Sequence, residues 1–173
     1  MLDQITRTQT IARALDRDLD HLIAELRPAA PLEGEFGLGL SAVVKRWSEQ
    51  SGIAAECVVS SEAARRLPDD TAPNLYAITH EALHNVAKHA RATSVNVTLS
   101  QQEDCAVLLI EDDGRGFDRS VAGRRRTGFG LIIMQERAEL AGGEFAIESS
   151  THGGTTVCVR VPLDRQSVTV RAD

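Results

Sequence analysis

The stretch Val107-Leu108-Leu109-Ile110-Glu111-Asp112-Asp113-Gly114-Arg115-Gly116-Phe117 decides how this chain is read. Its apolar run reads as a buried strand. The strand ends in a carboxylate followed by two glycines, which let the backbone turn sharply beside a ligand while the acid points into a pocket. An acid held that way can grip a base. The same letters also fit an ordinary Asp-Gly hairpin turn, so the reading depends on what lies on either side.

Upstream, Pro68 and Pro73 bracket the start of a helix that the pattern carries to His89 or Ala90. At ~100° per residue, Glu81, Asn85, Lys88 and His89 fall on one third of its circumference, with Leu83, Val86, Ala87 and Ala90 expected on the packed side. A solvated polar helix face has this pattern too. What separates the two readings is chemical fit: an amide oxygen can ligate Mg²⁺, an ammonium can meet phosphate, and a carboxylate can orient or deprotonate a nucleophile. Downstream, Gly128-Phe129-Gly130-Leu131 leads into a helix over Leu131 to Ala141, where backbone N–H groups and the helix dipole suit an anion. A flexible helix lead-in would look the same. Gly153-Gly154-Thr155-Thr156 opens the last strand, as a turn with a β-branched start or with a hydroxyl that meets the base beside Asp112.

The remaining elements frame these blocks. Leu2 to Arg27 has no Gly or Pro and spaces Ile5, Leu15, Leu19, Leu22, Ile23 and Leu26 as a narrow amphipathic helix, whose seam calls for a partner helix. A linker follows over 29–37, then a helix from Leu38 to Gln50 with Leu40, Val43, Val44 and Trp47 inward, stopped by Gly52. Strands are expected at Ile53 to Val59, Val95 to Leu99, Cys105 to Ile110, Phe145 to Glu148 and Thr156 to Val161, with a polar, basic loop at Arg119 to Thr127 and a frayed tail over 164–173. Strands in one layer, helices in the other and several antiparallel pairs define an α/β two-layer sandwich with a mixed, mostly antiparallel sheet.

Composition narrows the function. The chain has 173 residues, 42% of them hydrophobic but only 3% aromatic, so its core is aliphatic. A net charge of −6 argues against broad binding to a nucleic-acid backbone. Cys57, Cys105 and Cys158 are odd in number and lack Cys-x-x-Cys spacing, which reads as buried thiols in a reducing cytosol rather than a disulfide or zinc framework. No run approaches the ~20 apolar residues needed to cross a bilayer, so no membrane contact is expected from this segment and a cytoplasmic location is.

Together the four blocks resemble the ATP-binding domain, of Bergerat fold, shared by DNA gyrase, the ninety-kilodalton heat-shock chaperone, sensor histidine kinases and mismatch-repair ATPases. His80 to Ala90 is similar to the asparagine box of that superfamily, Asp112 to Phe117 to its first glycine box, Gly128 to Leu131 to its second and Gly154-Thr155-Thr156 to its third. Within it, Leu131 to Gly143, and Glu25-Leu26-Arg27-Pro28 followed by Gly37-Leu38, resemble kinases that signal to helix-turn-helix response regulators. The resemblance implies ATP and Mg²⁺ as ligands. Asp112 would bind the adenine amino group, Asn85 would hold Mg²⁺, Lys88 and His89 would face phosphates and Glu81 would assist phosphoryl transfer. Gly114, Gly116, Gly128, Gly130 and Leu131 would contribute backbone around the nucleotide, Thr155 and Thr156 would contribute hydroxyls, and Arg119 to Thr127 would form a movable lid.

One departure stands out. The family's phosphate-accepting histidine is followed directly by an acid, whereas His21 is followed by Leu22 and its helix matches the second helix of the dimerisation hairpin. His21 therefore reads as an exposed helix histidine. The chain is expected to be the C-terminal part of a longer kinase, with residues 1–28 a partial dimerisation helix, self-association through 2–27, the catalytic domain over 38–163, and a histidine-bearing helix and a response regulator as partners. Two rivals use the same scaffold: a serine kinase of the anti-sigma type or an ATP hydrolase, and a non-enzymatic nucleotide-sensing dimerisation module.

Overall fold

The computed structural model describes residues 35–118 and 129–163. The N-terminal helix, the basic loop with Gly128 and the tail expected from the sequence lie outside the described residues. The elements in order are α1 (Glu35–Ser51), β1 (Ala54–Val59), α2 (Ser61–Arg65), α3 (Thr71–Asn85) running into a π turn (Val86–Ala90), β2 (Ser94–Gln102), β3 (Cys105–Asp112), α4 (Phe129–Leu140), β4 (Glu144–Ser149) and β5 (Thr155–Pro162).

The strands form one sheet in the order β1-β2-β3-β5-β4. β1 runs parallel to β2, and the β2–β3, β3–β5 and β4–β5 pairs are antiparallel. The parallel pair follows from the α2–α3 crossover between β1 and β2, whereas the short turns after β2 and β4 return the chain as hairpins. Alternation sends Val95, Val97 and Leu99 of β2, Leu108 and Ile110 of β3, and Val157, Val159 and Val161 of β5 into the core. There they meet Leu40 and Val44 of α1, Leu75, Ile78 and Leu83 of α3, and Met134 of α4. On the opposite sheet face Glu56, Asn96, Glu144 and Glu148 are exposed. The result is the two-layer α/β sandwich with a mixed sheet that the element order predicts.

Three details differ from the expectation. α1 starts at Glu35, so the last residues of the expected linker are helical and Phe36 is buried against Tyr76, with ring centroids 4.8 Å apart. The short helix α2 was not expected; Ser60 caps it by accepting from Ala63 N–H at 3.3 Å. The third helix does reach Ala90, but its last five residues widen into the π turn and end at Arg91 in the left-handed region, φ 54°. No helix among the described residues is long and apolar enough to cross a membrane.

Candidate nucleotide site

A cavity of about 340 Å³ opens between the end of β3, the C-terminal half of α3 with its π turn, and the start of α4. That volume lies within the ~300–1,000 Å³ range of small-molecule sites. Its walls are mainly aliphatic: Val86, Ile110, Met134, Ile147 and Val157 make a slot suited to a flat ring. Polar groups enter at the edges, with Asp112 and Thr155 at the sheet end and Asn85 and His89 at the helix end.

At the sheet end, Asp112 and Thr155 form the last rung of the β3–β5 ladder. The Asp112 carboxylate accepts from Gly114 N–H at 2.8 Å, and Thr155 stands opposite Asp112 on the neighbouring strand. Burial pushes its pKa above the ordinary carboxylate value and the adjacent Asp113 adds to that, while the Gly114 bond restrains the rise. Gly114 has no room for a side chain: a Cβ there would sit 2.5 Å from the Ala90 carbonyl oxygen and 2.6 Å from Asp112 Oδ1. Its absence lets Arg115 N–H reach Ala90 O at 2.8 Å, which ties the turn after β3 to the end of the π turn. Gly116, at φ 56°, occupies the left-handed region that glycine adopts at no steric cost.

Asp113 turns away from the cavity. Its carboxylate accepts from Thr93 N–H at 2.7 Å, Ser94 N–H at 2.9 Å, and the Thr93 and Ser94 hydroxyls at 2.5 and 2.9 Å. These bonds, the Thr93 hydroxyl first, hold its pKa well below the usual carboxylate range.

At the helix end, Asn85 Nδ2 donates to Glu81 Oε1 at 3.2 Å, one turn earlier on α3. That bond uses one amide hydrogen and directs the Asn85 carbonyl oxygen elsewhere, as a neutral ligand for a hard cation requires. Gly130 faces the pair at close range, since a Cβ there would collide with Glu81 Oε1 and stand 3.2 Å from Asn85 Nδ2. Among the described residues no cluster of three or more His, Cys, Asp or Glu could hold a metal. The Asn85 carbonyl oxygen could supply one ligand to a hard cation.

The sequence-derived residues thus divide. Asn85, His89, Asp112 and Thr155 line the cavity, as do Gly116, Gly130 and Leu131. Gly114 backs it, and Glu81 reaches it through Asn85. Lys88 is exposed and absent from the wall, and Ala87, expected on the packed side, is exposed as well. Thr156 stands on the opposite sheet face, because successive strand residues alternate and Thr155 and Val157 take the cavity side. Gly128 lies outside the described residues. The reading of the sequence missed the Asp113 clamp and the aliphatic walls from Ile110, Met134 and Val157, which look like ordinary core positions until the fold brings them together.

The described geometry can be set beside known proteins. A family described as histidine kinase-, DNA gyrase B-, and HSP90-like ATPase matches residues 70–165. The signal transduction histidine-protein kinase/phosphatase DegS of Brevibacillus brevis is 31% identical over 124 residues, 72% of this chain and 31% of its own length. The oxygen sensor histidine kinase NreB of Staphylococcus carnosus is 30% identical over 163 residues, 94% of this chain and 46% of its own. This chain thus spans between about a third and a half of those relatives. Among solved structures, the histidine kinase domain of the Erythrobacter litoralis EL346 blue-light activated histidine kinase shares the fold at a TM-score of 0.65 and 21% identity, over 80% of this chain and 67% of that one. Full-length ShkA in complex with AMPPNP gives a TM-score of 0.62 at 19% identity, over 90% of this chain and 38% of that one. With a family match across more than half its length, a cavity walled by a strand-end carboxylate and a helix asparagine, and the fold of kinase catalytic domains, this chain belongs to the histidine kinase-, DNA gyrase B- and HSP90-like ATPases.

Proposed function

We propose that this chain is the ATP-binding catalytic domain of a two-component sensor histidine kinase, which presents the γ-phosphoryl group of Mg-ATP to a histidine on a helix outside this segment. The observation that carries the reading is Asp112. One acceptor position of its carboxylate is filled by Gly114 N–H at 2.8 Å, at the edge of an aliphatic slot. A carboxylate offers about four such positions, which leaves room for a donor from a ligand. The adenine amino group supplies that donor, and Val86, Met134 and Ile147 cover the ring.

The triphosphate then extends toward α3 and α4. His89 stands at the cavity wall and Lys88 on the exposed side of the same turn, where each can meet phosphate oxygens. Gly130 and Leu131, at the start of α4, put backbone next to them without a side chain in the way. A Mg²⁺ ion held at Asn85 would supply charge neutralisation to the phosphates. Asn85 offers it one oxygen, and Glu81 holds that amide in orientation. In the transfer, a nitrogen of the acceptor imidazole bonds to the γ-phosphorus as the bond to the β-bridging oxygen breaks, ADP leaves, and the imidazole proton passes to a base. The chain's share is positioning and charge neutralisation, which dominate phosphoryl transfer. A response regulator is the onward acceptor in this reading, and residues 1–28 belong to the dimerisation hairpin.

The test is to add a histidine-bearing helix hairpin in trans with Mg-ATP labelled at the γ-position. Label that enters the hairpin and is stable to base but labile to acid supports the kinase. Label that appears only as inorganic phosphate, or only on a serine partner, overturns it in favour of a hydrolase or serine kinase. Retained ATP affinity with nucleotide-dependent association and no transfer to any acceptor points to a sensing module instead.

A further inference from the structure

The turn of α3 that carries Glu81 and Asn85 also carries two ligand-forming side chains that the proposed mechanism does not use. His80 and His84 stand four residues apart in the α-helical part of α3, before the π turn begins at Val86. His80 is exposed, His84 is half-buried, and neither lines the cavity. Read through the residues between them, His80-Glu81-Ala82-Leu83-His84 has the spacing of a zinc-binding helix, in which two imidazoles one turn apart share one face. Side chains at i and i+4 lie one above the other with Cβ atoms about 5–6 Å apart, so two imidazoles can reach a single ion at Zn–N distances of about 2.0–2.1 Å.

A solvated helix face can also carry two histidines. What favours a ligand pair is that the other polar groups on this stretch are committed while the imidazoles are not. Tyr76 donates to Phe36 O at 3.0 Å, Thr79 to Leu75 O at 2.9 Å and Asn85 to Glu81 at 3.2 Å, and among the described residues neither imidazole takes part in a hydrogen bond or an ion pair. Each neutral ring therefore keeps a nitrogen lone pair to offer. Ala77, three residues before His80, and Ala87, three after His84, put no long side chain over the pair. Lys88, four residues beyond His84, is exposed and can extend into solvent. The carboxylate of the motif is engaged elsewhere: Glu81 accepts from Asn85. It is thus not set to act as a base on metal-bound water, and the pair makes a binding site rather than a hydrolytic centre. Water fills the ion's other positions, in keeping with the lack, among the described residues, of any group of three or more His, Cys, Asp or Glu that could hold a metal.

We infer that His80 and His84 form a surface chelate for a late transition-metal ion of the Zn²⁺, Ni²⁺ or Cu²⁺ class. Imidazole nitrogen suits these ions, whereas Mg²⁺ takes oxygen ligands. One turn of helix would then sort two kinds of ion, the hard one at the Asn85 oxygen in the proposed function and the softer one at the histidines. The chelate stands apart from that function, because neither histidine lines the cavity.

The experiment titrates Zn²⁺ into the 173-residue chain in competition with a chromophoric chelator, for wild type, His80→Ala, His84→Ala and His152→Ala. The second imidazole binds at the effective concentration set by the first, so loss of either should weaken Zn²⁺ binding at least ~10-fold. His152, exposed in the β4–β5 turn, is the control, and His152→Ala should match wild type. The thiols of Cys57, Cys105 and Cys158 are common to all four proteins and cancel in the comparison. Zn²⁺ should also raise the melting temperature of wild type more than that of His80→Ala or His84→Ala, since the two rings are held one turn apart only on the folded helix. In NMR spectra the ring signals of His80 and His84 should move together as Zn²⁺ is added, and Mg²⁺ should move neither. Zn²⁺ affinity in either single variant equal to wild type overturns the chelate, and so does a ring signal of one histidine that responds without the other. If His84→Ala does not fold, His84→Gln, which keeps most of the volume without an imidazole, decides in the same way.

Discussion

Asp112 and Asp113 leave the same strand one residue apart and meet opposite surroundings. Asp112 is half-buried against an aliphatic slot, and loss of hydration raises its pKa despite the donor from Gly114. Asp113 is exposed, yet four donors from Thr93 and Ser94 pull its pKa down. Identical chemistry therefore serves two ends. Asp113 is used up in fastening the β3 exit to the start of β2, while Asp112 is left with an acceptor to offer. Alternation makes the division: two adjacent residues at a strand end cannot face the same side, so one carboxylate faces the cavity and its neighbour the outside.

The comparison breaks most sharply at Asp112. Asp112→Asn is expected to reduce ATP affinity at least ~100-fold by calorimetry, since the amide places a donor where the base also donates. The apo protein should melt no lower than wild type at pH 7. The sign follows from the raised pKa: a group that binds its proton more tightly when folded favours the folded state increasingly as pH falls through the folded pKa. An Asn, which carries no charge to bury, removes the penalty present at neutral pH. Retained ATP affinity would count against the assignment of the base to Asp112.

Asn85→Ala comes next, with a loss of roughly tenfold or more confined to the magnesium-dependent part of the affinity. Titrations with Mg²⁺ and with EDTA should converge in the variant. If both fall together, Asn85 supports the pocket rather than the ion. Gly130→Ala approaches the same pair from α4. Its methyl group collides with Glu81 and crowds the Asn85 amide, so the magnesium-dependent part should weaken severalfold at little change in melting temperature.

Asp113→Ala should have the smallest effect on binding and a clearer one on stability. We expect a fall of a few degrees in the melting temperature at pH 7 and a change in ADP affinity smaller than for any of the preceding variants. Because the folded pKa is depressed, the contribution is complete above the unfolded value of about 4 and fades as pH drops through the folded one. The gap in melting temperature between wild type and variant should therefore be flat from pH 8 to 5 and close only in stronger acid. A gap that widens in acid would contradict the clamp.

Much of the fold was legible because its signals are local. β2, β3 and β5 alternate or run apolar between turn residues, and the order of strands and helices sets the layers. The start of α1 was not legible because Gly37 and Gly39 read as breakers. In the fold they are contact points, with Val59 Cγ1 2.9 Å from a Cβ at Gly37 and the Tyr76 hydroxyl against Gly39. The π turn was not legible either, since nothing in Val86-Ala87-Lys88-His89-Ala90 distinguishes i→i+5 bonding from α. Ala87, Lys88 and His89 are all exposed along it, and of the three His89 lines the cavity. In the site, Asp112, Asn85 and Thr155 could be found from motif and order. Placing Thr156 there ignored the two-residue period of the strand it opens. The Asp113 clamp could not be found, because its partners are 19 or more residues away.

The rung that joins Asp112 to Thr155 lies on β3 and β5, the two strands that have neighbours on both sides together with β2. In the proposed reading, the carboxylate that meets the base is thus carried by an interior strand rather than by an edge of the sheet.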